Sequence, residues 1–203
     1  MKEHFERIYR EDLWGGGSGE GSWPLHNRGY AAFLRQFLNQ HGIRSVVDLG
    51  CGDWQFSRLI DWSGVEYRGF DIVPMVIEAN QRHYAKDGIS FALLRDPADL
   101  PPADLLIAKD VLQHWSGPSI ETFLPRLGQY RHCLLTNCVD VAGTTVYREV
   151  PDGSFRPLDL RQPPFSLAAR EVFRFRDHVA WWRRPFTKPR WVKSVLWLDQ
   201  PAR

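Results

Sequence analysis

Two glycines separated by one residue interrupt an apolar run early in the chain. The run Val-Val-Asp-Leu ends at the tripeptide Gly50, Cys51, Gly52. A strand that ends in such a turn can hold a ligand against its main chain, because glycine lacks a Cβ and adopts backbone angles that are closed to other residues. A helix predicted to begin near Trp54 would aim free N–H groups at the same ligand. Asp48, two residues before the first glycine, can orient the turn or meet a cationic group of the ligand.

The residues around this turn separate two classes of nucleotide site. A dinucleotide site needs the pattern G-x-G-x-x-G after the strand, and Gln55 stands at the third glycine position. The arrangement acid-x-Gly-x-Gly resembles instead the first motif of the class I S-adenosylmethionine-dependent methyltransferases. The resemblance implies S-adenosylmethionine as the cofactor, bound by Asp48, Gly50, Cys51 and Gly52. A structural turn without a ligand is the alternative.

A second acid stands at the end of the next predicted strand, residues 66–72. Asp71 follows the glycine turn by about twenty residues, the spacing expected when a carboxylate at the tip of the second strand accepts hydrogen bonds from both ribose hydroxyls. We therefore expect Asp71 and the neighbouring Ile72 to contact the nucleoside of the cofactor. A solvated acid at a strand end is the alternative.

The resemblance also assigns residues at the ends of later strands. It implies that Asp96 accepts a hydrogen bond from the exocyclic amine of adenine, although a simple turn at Asp96 and Pro97 explains this acid nearly as well. It implies that residues 110–115 face the sulfonium methyl group, which places Asp110 in the cofactor site and in catalysis. A hydroxyl acceptor needs a base, and His114, with an ordinary pKa near ~6.5, is the candidate. The alternative is that His114 only caps the next helix.

Particular residues disfavour other chemistries. Some methyltransferases of this superfamily hold a divalent ion with Glu-x-x-Glu-His, and here the neutral Gln113 replaces an acid that a hard cation favours, so no metal is expected. Amino-methylating DNA enzymes carry a Pro-Pro-aromatic element where this chain has Val-Leu-Gln after Asp110. Cytosine-C5 enzymes need a Pro-Cys nucleophile, and the chain contains no such pair. RNA ribose, cap and protein acceptors stay open.

A Gly/Ser-rich run, residues 14–24, precedes the glycine turn and has tryptophan near both ends. Gly/Ser runs are typical of flexible linkers. The two tryptophans favour a loop that packs down over a bound cofactor, with Ser18 or Ser22 bonding its carboxylate; a disordered leader is the alternative. The run resembles the N-terminal Ser-Gly-x-Gly-Ser element of a bacterial methyltransferase subgroup, which implies no single substrate.

The segment 140–167 is rich in glycine and proline and is too long for an ordinary connection. Long loops often carry binding residues, so this insertion is predicted to hold the acceptor. Arg156 and Arg161 flank Asp159 and would suit an anionic or sugar-like acceptor. A surface arm whose ions pair with each other is the alternative.

The C-terminal region is basic and aromatic. Residues 170–203 hold nine Lys/Arg against three acids, about +6, whereas the whole chain carries +2. Interleaved bases and rings can neutralise and stack nucleic acid. We favour closing strands whose cationic side chains face water, because residues 192–198 already read as a strand. The aromatic residues are Phe173, Phe175, Trp181, Trp182, Phe186, Trp191 and Trp197.

Strands and helices alternate along the chain, which favours a parallel sheet covered on both faces. The predicted fold is α/β, a three-layer Rossmann-like sandwich with a mostly parallel seven-stranded sheet and a C-terminal β-hairpin. Residues 1–203 are predicted to form a single methyltransferase domain, in which 1–40 hold the N-terminal helices and the Gly/Ser loop. The apolar strand 105–108 is predicted to be central. Predicted helices cover 5–13, 30–40, 54–61, 73–85 and 119–127, and predicted strands cover 45–50, 66–72, 89–94, 105–108, 131–139, 170–175 and 192–198.

Length and cysteine usage set broad limits on the protein. Its 203 residues can form a large core, no stretch is apolar for the eighteen residues that a membrane span needs, and three cysteines fit neither a disulfide framework nor a zinc site. We therefore expect a cytoplasmic protein that transfers methyl groups from S-adenosylmethionine to a small-molecule or glycan-type acceptor, with O-methylation favoured. The alternatives are an RNA-directed methyltransferase that uses the basic aromatic C-terminal region, and a non-catalytic partner protein that binds the cofactor.

Overall fold

One sheet of seven strands organises the protein, and the computed structural model describes residues 1–179 and 187–200. The strands are β1 (Ser45–Leu49), β2 (Glu66–Asp71), β3 (Ile89–Leu93), β4 (Leu105–Lys109), β5 (His132–Val139), β6 (Arg170–Arg176) and β7 (Val192–Asp199). Their order across the sheet is β3-β2-β1-β4-β5-β7-β6. Strands β1 to β5 are parallel, and β7 is antiparallel to both β5 and β6. The predicted mostly parallel sheet with a C-terminal hairpin is confirmed.

The most apolar strand lies at the centre of the sheet, as predicted. All residues of β4 are buried, because helices and loops cover both faces of the sheet there. Successive side chains point to opposite faces, so Leu105 and Ile107 join one core while Leu106 and Ala108 join the other.

Helices cover the two faces and complete a three-layer sandwich. They are α1 (Lys2–Arg10), α2 (Pro24–Gln40), α3 (Pro74–Tyr84) and α4 (Gly117–Phe123). Leu34 of α2 and Ile77 of α3 pack into the same core, whereas Ile120 of α4 packs into the core on the other face. Prolines at the first positions of α2 and α3 cost no hydrogen bond, because those N–H groups lack a partner within the helix. No helix in residues 1–179 and 187–200 is long and apolar enough to cross a membrane.

The prediction of a helix over residues 54–61 is wrong. Trp54 adopts a left-handed conformation with φ of 59°, which interrupts a right-handed helix at its expected start. Its indole is buried against Tyr67, Tyr84 and Phe91. What remains is a single 3₁₀ turn, Ser57–Leu59, so no α-helix N-terminus aims N–H groups across the glycine turn.

The aromatic side chains of the C-terminal hairpin pack against α2. Phe173 stacks on Phe33, with ring centroids 4.9 Å apart and an interplanar angle of 5°, and Phe175 stacks on Tyr30 at 5.4 Å. Trp197 contacts Phe37 edge to face at 5.4 Å. These contacts agree with the interpretation that the basic, aromatic C-terminal region forms strands that complete the sheet. Trp181, Trp182 and Phe186 lie outside the described residues.

Lys193 departs from the expectation that the cationic residues of these strands face water. The residue is 2% exposed, and its side chain lies inside the protein on β7. By contrast, Arg174 is about half exposed and pairs with Glu171. The water-facing expectation is therefore wrong for Lys193, because the carboxylate that it pairs with stands at the end of β4.

Candidate active site

The glycine turn fits closely between β2 and the loop after β4. The amides of Gly50 and Cys51 both donate to the Phe70 carbonyl, at 2.7 and 3.0 Å. Gly50 has φ of +71°, and a Cβ there would stand 2.3 Å from Cγ2 of Val111. Only glycine can therefore occupy this position without moving the loop.

Asp71 connects the glycine turn to the end of β2. Its two oxygens accept from the amides of Gly52 at 3.1 Å and Val73 at 3.0 Å. Burial raises the pKa of Asp71 to about 6, against the opposing effect of these amides. The turn is held from the other side by Asn80 of α3, whose amide donates to the Gly52 carbonyl at 2.7 Å. Asn80 carried no signal in the sequence, because a single amide within a helix has no pattern that reveals its partner.

Asp48 lies beneath the turn and is buried. It accepts a 2.5 Å hydrogen bond from the Tyr67 hydroxyl. Burial raises its pKa to about 7, although this hydrogen bond and the nearby Lys109 ammonium oppose the rise. Asp48 thus joins β1 to β2 directly below the glycine turn.

The Gly/Ser run packs on the glycine turn, as one of the two interpretations of the sequence predicts. The amide of Ser18 donates to Asp53 at 3.1 Å, and the amide of Asp53 donates back to the Ser18 hydroxyl at 2.9 Å. The Tyr9 hydroxyl lies 2.6 Å from the same serine oxygen. A Cβ on Gly52 would stand 2.4 Å from that oxygen, so the second glycine gives this loop room to approach. The hydroxyl of Ser22 donates to the Ser18 carbonyl at 3.4 Å.

A buried charge cluster stands at the end of β4. Asp110 pairs with the ammonium groups of Lys109 at 2.7 Å and Lys193 at 2.5 Å. Both ammonium groups also donate to the Gly21 carbonyl, at 3.0 and 3.2 Å, which ties the Gly/Ser run to the sheet. Although burial alone would raise the pKa of Asp110, the two ammonium groups lower it to about 2. Burial lowers the pKa of Lys109 to about 8.

The C-terminal region closes over the same loop. The Arg190 guanidinium pairs with Glu20 at 2.6 Å, and the indole of Trp191 donates to the same carboxylate at 3.0 Å. Trp191 also lies 4.5 Å from the Lys193 ammonium, a cation–π distance. Residues that seemed suited to nucleic acid therefore hold the Gly/Ser run in place.

His114 lies among aromatic rings, two residues before the N-cap of α4. Its ring centroid is 5.6 Å from Phe5, 6.2 Å from Trp14 and 5.8 Å from Phe155. The N-cap of α4 is Ser116, so the capping interpretation of His114 is wrong. Burial lowers the pKa of His114, and its Nδ1 has no hydrogen-bond partner within the described part of the chain.

One cavity of about 1090 Å³ opens where β1, β2 and β4 end. Asp96 stands at its edge and accepts from the Ala98 amide at 2.7 Å, which starts a 3₁₀ turn. The cavity brings together most of the residues predicted from the sequence: Ser22, Asp48, Gly50, Cys51, Gly52, Asp71, Ile72, Asp96, Asp110 and His114. It also contains residues that sequence reasoning did not assign to the site: Phe5, Tyr9, Trp14, Lys109, Trp191 and Lys193.

No family model and no curated protein sequence matches the chain, whereas solved structures do. A 1,6-didemethyltoxoflavin-N1-methyltransferase from Burkholderia thailandensis aligns with a TM-score of 0.65 over 98% of this chain and 87% of that one, at 16% identity. Magnesium protoporphyrin IX methyltransferase from Synechocystis PCC 6803 aligns with a TM-score of 0.56 over 86% and 84%, also at 16% identity.

Human N-acetylserotonin methyltransferase aligns with a TM-score of 0.58 over the whole of this chain and 57% of that one, at 16% identity. The chain has the Rossmann-like methyltransferase fold. Identities at this level establish the architecture and leave the reaction to be argued from the site itself.

Within this methyltransferase fold, the two arginines predicted to bind the acceptor lie outside the cavity lining. Arg156 is buried, donates to the Trp115 carbonyl at 2.6 Å and lies over the ring of Tyr147. Arg161 pairs with Asp159 through two hydrogen bonds of 2.9 and 2.8 Å. The contacts of Arg161 correspond to the alternative in which the ions of the segment pair with each other, whereas Arg156 is buried and pairs with no carboxylate of the segment.

The segment 140–167 mainly supports the start of α4. The amides of Ser116 and Gly117 donate to Asp152 and Glu149, at 2.7 and 2.9 Å. Of this segment, Phe155 lines the cavity. Within the cavity lining, the segment therefore presents a ring rather than a cation.

Gln113, at the position considered for a metal ligand, forms hydrogen bonds with residues of β5. The side-chain oxygen of Gln113 accepts from the Cys138 amide at 2.7 Å, and Asn137 accepts from the Gln113 amide at 3.2 Å. Within residues 1–179 and 187–200, no three His, Cys, Asp or Glu side chains come together as a set of metal ligands.

Proposed function

We propose that this chain is an S-adenosylmethionine-dependent methyltransferase that acts on a hydroxyl group of a small molecule. One observation carries the proposal: a single cavity contains the glycine turn, the Asp71 carboxylate at the end of β2, and the Asp110 and His114 side chains after β4. The fold supports it, since proteins of this fold have been crystallised with S-adenosylhomocysteine.

The cavity is large for a ligand site. Its volume of about 1090 Å³ lies at the upper end of the ~300–1,000 Å³ that is typical of small-molecule and cofactor sites. Each oxygen of Asp71 accepts one amide hydrogen bond and keeps a second lone pair, which suits two ribose hydroxyls. Ile72 and Asp96 would then bound the base, and Ser22 with the glycine turn would bound the amino-acid end.

Asp110 lines the proposed cofactor site with its charge already paired by Lys109 and Lys193. Its low pKa keeps it ionised at neutral pH, and its Oδ1 is buried without a hydrogen-bond partner in the described ranges. When bound, S-adenosylmethionine supplies a methyl group on a cationic sulfur, which departs with the carbon–sulfur bonding pair as the methyl bonds to the acceptor.

His114 would take the proton of the acceptor hydroxyl. Because burial lowers its pKa, the imidazole is neutral at pH 7, and its unprotonated nitrogen can accept a hydrogen bond and then the proton. The surrounding rings fix the position of the imidazole, and alignment of this kind can contribute ~7–11 kcal/mol to lowering a barrier.

Replacing His114 with alanine should reduce kcat for a hydroxyl acceptor by ~10²–10⁴-fold, the usual contribution of a general base. Affinity for S-adenosylhomocysteine should stay within twofold. His83→Ala is the matched control, because His83 is exposed on α3 outside the cavity. Since the pKa of His114 is lowered, wild-type activity should persist below pH 6.5 and fall only once the imidazole takes up a proton. Near-normal turnover of His114→Ala would exclude this role.

A ligand panel tests the proposal itself. Thermal unfolding should shift upward by several degrees with S-adenosylmethionine and with S-adenosylhomocysteine, and should not shift with NAD, because binding to the native state alone stabilises it. Stabilisation by NAD without stabilisation by the sulfur nucleosides would reject the proposal. Tight binding with no demethylated product across an acceptor panel would favour the non-catalytic partner protein instead.

Three further assignments accompany this function. We propose that residues 1–203 form one domain, since a single sheet collects every strand of the described chain. We propose that the chain belongs to the bacterial subgroup with the Ser-Gly-x-Gly-Ser element, and the packing of this loop on the glycine turn supports a role for it in the site. The free thiols of Cys51, Cys133 and Cys138 support a reducing, cytoplasmic location.

A further inference from the structure

The end of the cavity around His114 is lined by rings from separate parts of the chain. Phe5 comes from α1, Trp14 precedes the Gly/Ser loop, and Phe155 comes from the segment 140–167. All three ring centroids lie within 6.2 Å of the His114 ring. The flanking side chains of Trp115 and Phe123 are apolar and line the same cavity.

Phe155 is an exposed ring in a chain that buries most of its large apolar side chains. It is 55% exposed, although Leu158 and Leu160 from the same segment are buried in the core. A large apolar side chain gains free energy when a ligand removes it from water. Its position at the cavity therefore marks a surface that an apolar ligand would cover.

The hydroxyl side chains at the His114 end of the cavity already have hydrogen-bond partners within the protein. The Ser119 hydroxyl donates to Asp152 at 3.2 Å, and the Thr122 hydroxyl donates to the Pro118 carbonyl at 2.8 Å. By contrast, Nδ1 of His114 is buried and has no partner in the described ranges. A sugar carries several hydroxyls that each need a partner when buried, whereas this end offers several rings and hydroxyl groups that are already paired within the protein.

We infer that the acceptor is a planar aromatic compound with a ring hydroxyl, whose ring packs on the faces that Phe5, Trp14 and Phe155 present to the cavity and whose hydroxyl meets His114. The inference rests on the proposed methyl transfer. The hydroxyl proton passes to His114, the new bond joins the ring oxygen to the methyl carbon, and the bond from that carbon to sulfur breaks with its electron pair staying on sulfur. The product is an aryl methyl ether.

Three probes of matched size test the acceptor class by calorimetry on protein saturated with S-adenosylhomocysteine. They are 2-naphthol, its saturated counterpart decahydro-2-naphthol, and methyl β-D-glucopyranoside. We expect 2-naphthol to bind at least tenfold more tightly than the saturated alcohol, and the glucoside to bind most weakly. Equal affinity of the two bicyclic alcohols, or tighter binding of the glucoside, would overturn the inference.

Variants at position 155 locate the ring contact. Phe155→Ala should weaken 2-naphthol binding by about two- to tenfold, the usual loss for one aromatic contact, and Phe155→Tyr should retain it. Val146→Ala is the control, because Val146 is 69% exposed in the same segment and does not line the cavity. Unchanged affinity in Phe155→Ala would overturn the inference. Absence of S-adenosylhomocysteine binding to the wild type would instead overturn the proposed function, so the two failures are distinguishable.

Discussion

Replacing Asp71 with alanine should weaken binding of S-adenosylhomocysteine at least tenfold. A hydrogen bond to a charged acceptor contributes ~1.5–3 kcal/mol, and the variant loses the acceptor proposed for the ribose. The glycine turn also loosens, because the same carboxylate accepts from the amides of Gly52 and Val73. The fold should survive, since the sheet is held by backbone pairing and apolar packing that do not use this side chain. Calorimetry measures the affinity, and circular dichroism checks the fold.

The pH dependence separates ligand binding by Asp71 from a purely structural role. Burial raises the pKa of Asp71 to about 6, so the ionised acceptor is present above pH 6 and is lost as pH falls through that value. Wild-type affinity should therefore decrease between pH 7 and pH 5, whereas Asp71→Ala should show a flatter profile. Asp87→Ala, at an exposed acid outside the cavity, serves as the control. An unchanged dissociation constant in Asp71→Ala would remove this residue from the cofactor site.

Replacing Asp110 with asparagine should lower the free energy of unfolding by about 3–5 kcal/mol, the usual cost of removing one partner from a buried ion pair. The ammonium groups of Lys109 and Lys193 are both buried and would be left without a counter-charge. Urea unfolding at pH 7 measures the loss. The deficit should shrink as pH rises toward 8, because burial lowers the pKa of Lys109 to about 8 against the opposing effect of Asp110, and the lysine of the variant therefore loses its proton at lower pH than that of the wild type.

Lys193→Met is the matched comparison for the charge cluster. It leaves the pair between Lys109 and Asp110 intact and replaces the second ammonium with an apolar chain of similar length, so its cost should be well below that of Asp110→Asn. The double variant should be more stable than Asp110→Asn alone, since contacting residues do not contribute additively. A larger loss in Lys193→Met than in Asp110→Asn would contradict this account of the cluster.

The local sequence determined the framework of the fold and about half of the site. Alternating apolar runs predicted all seven strands, because a buried strand must be apolar whatever surrounds it. Gly50 and Gly52 predicted the turn, since their backbone angles and close contacts exclude a Cβ. Asp71 and Asp110 were predicted to share one site, because both stand at the carboxyl ends of parallel strands and those ends meet at one edge of the sheet.

The tertiary structure alone decided which charges meet and which helix is lost. Lys193 follows Asp110 by 83 residues, and the antiparallel insertion of β7 beside β5 brings its ammonium to that carboxylate. The helix predicted after Trp54 is absent because the indole is buried against rings from β2, β3 and α3. Arg161, by contrast, pairs with Asp159 two residues before it, Arg156 donates to the Trp115 carbonyl 41 residues away, and neither arginine lines the cavity. Sequence patterns report backbone preference and burial along one segment, whereas ion pairs and ring contacts depend on residues that only chain folding brings within a few ångströms.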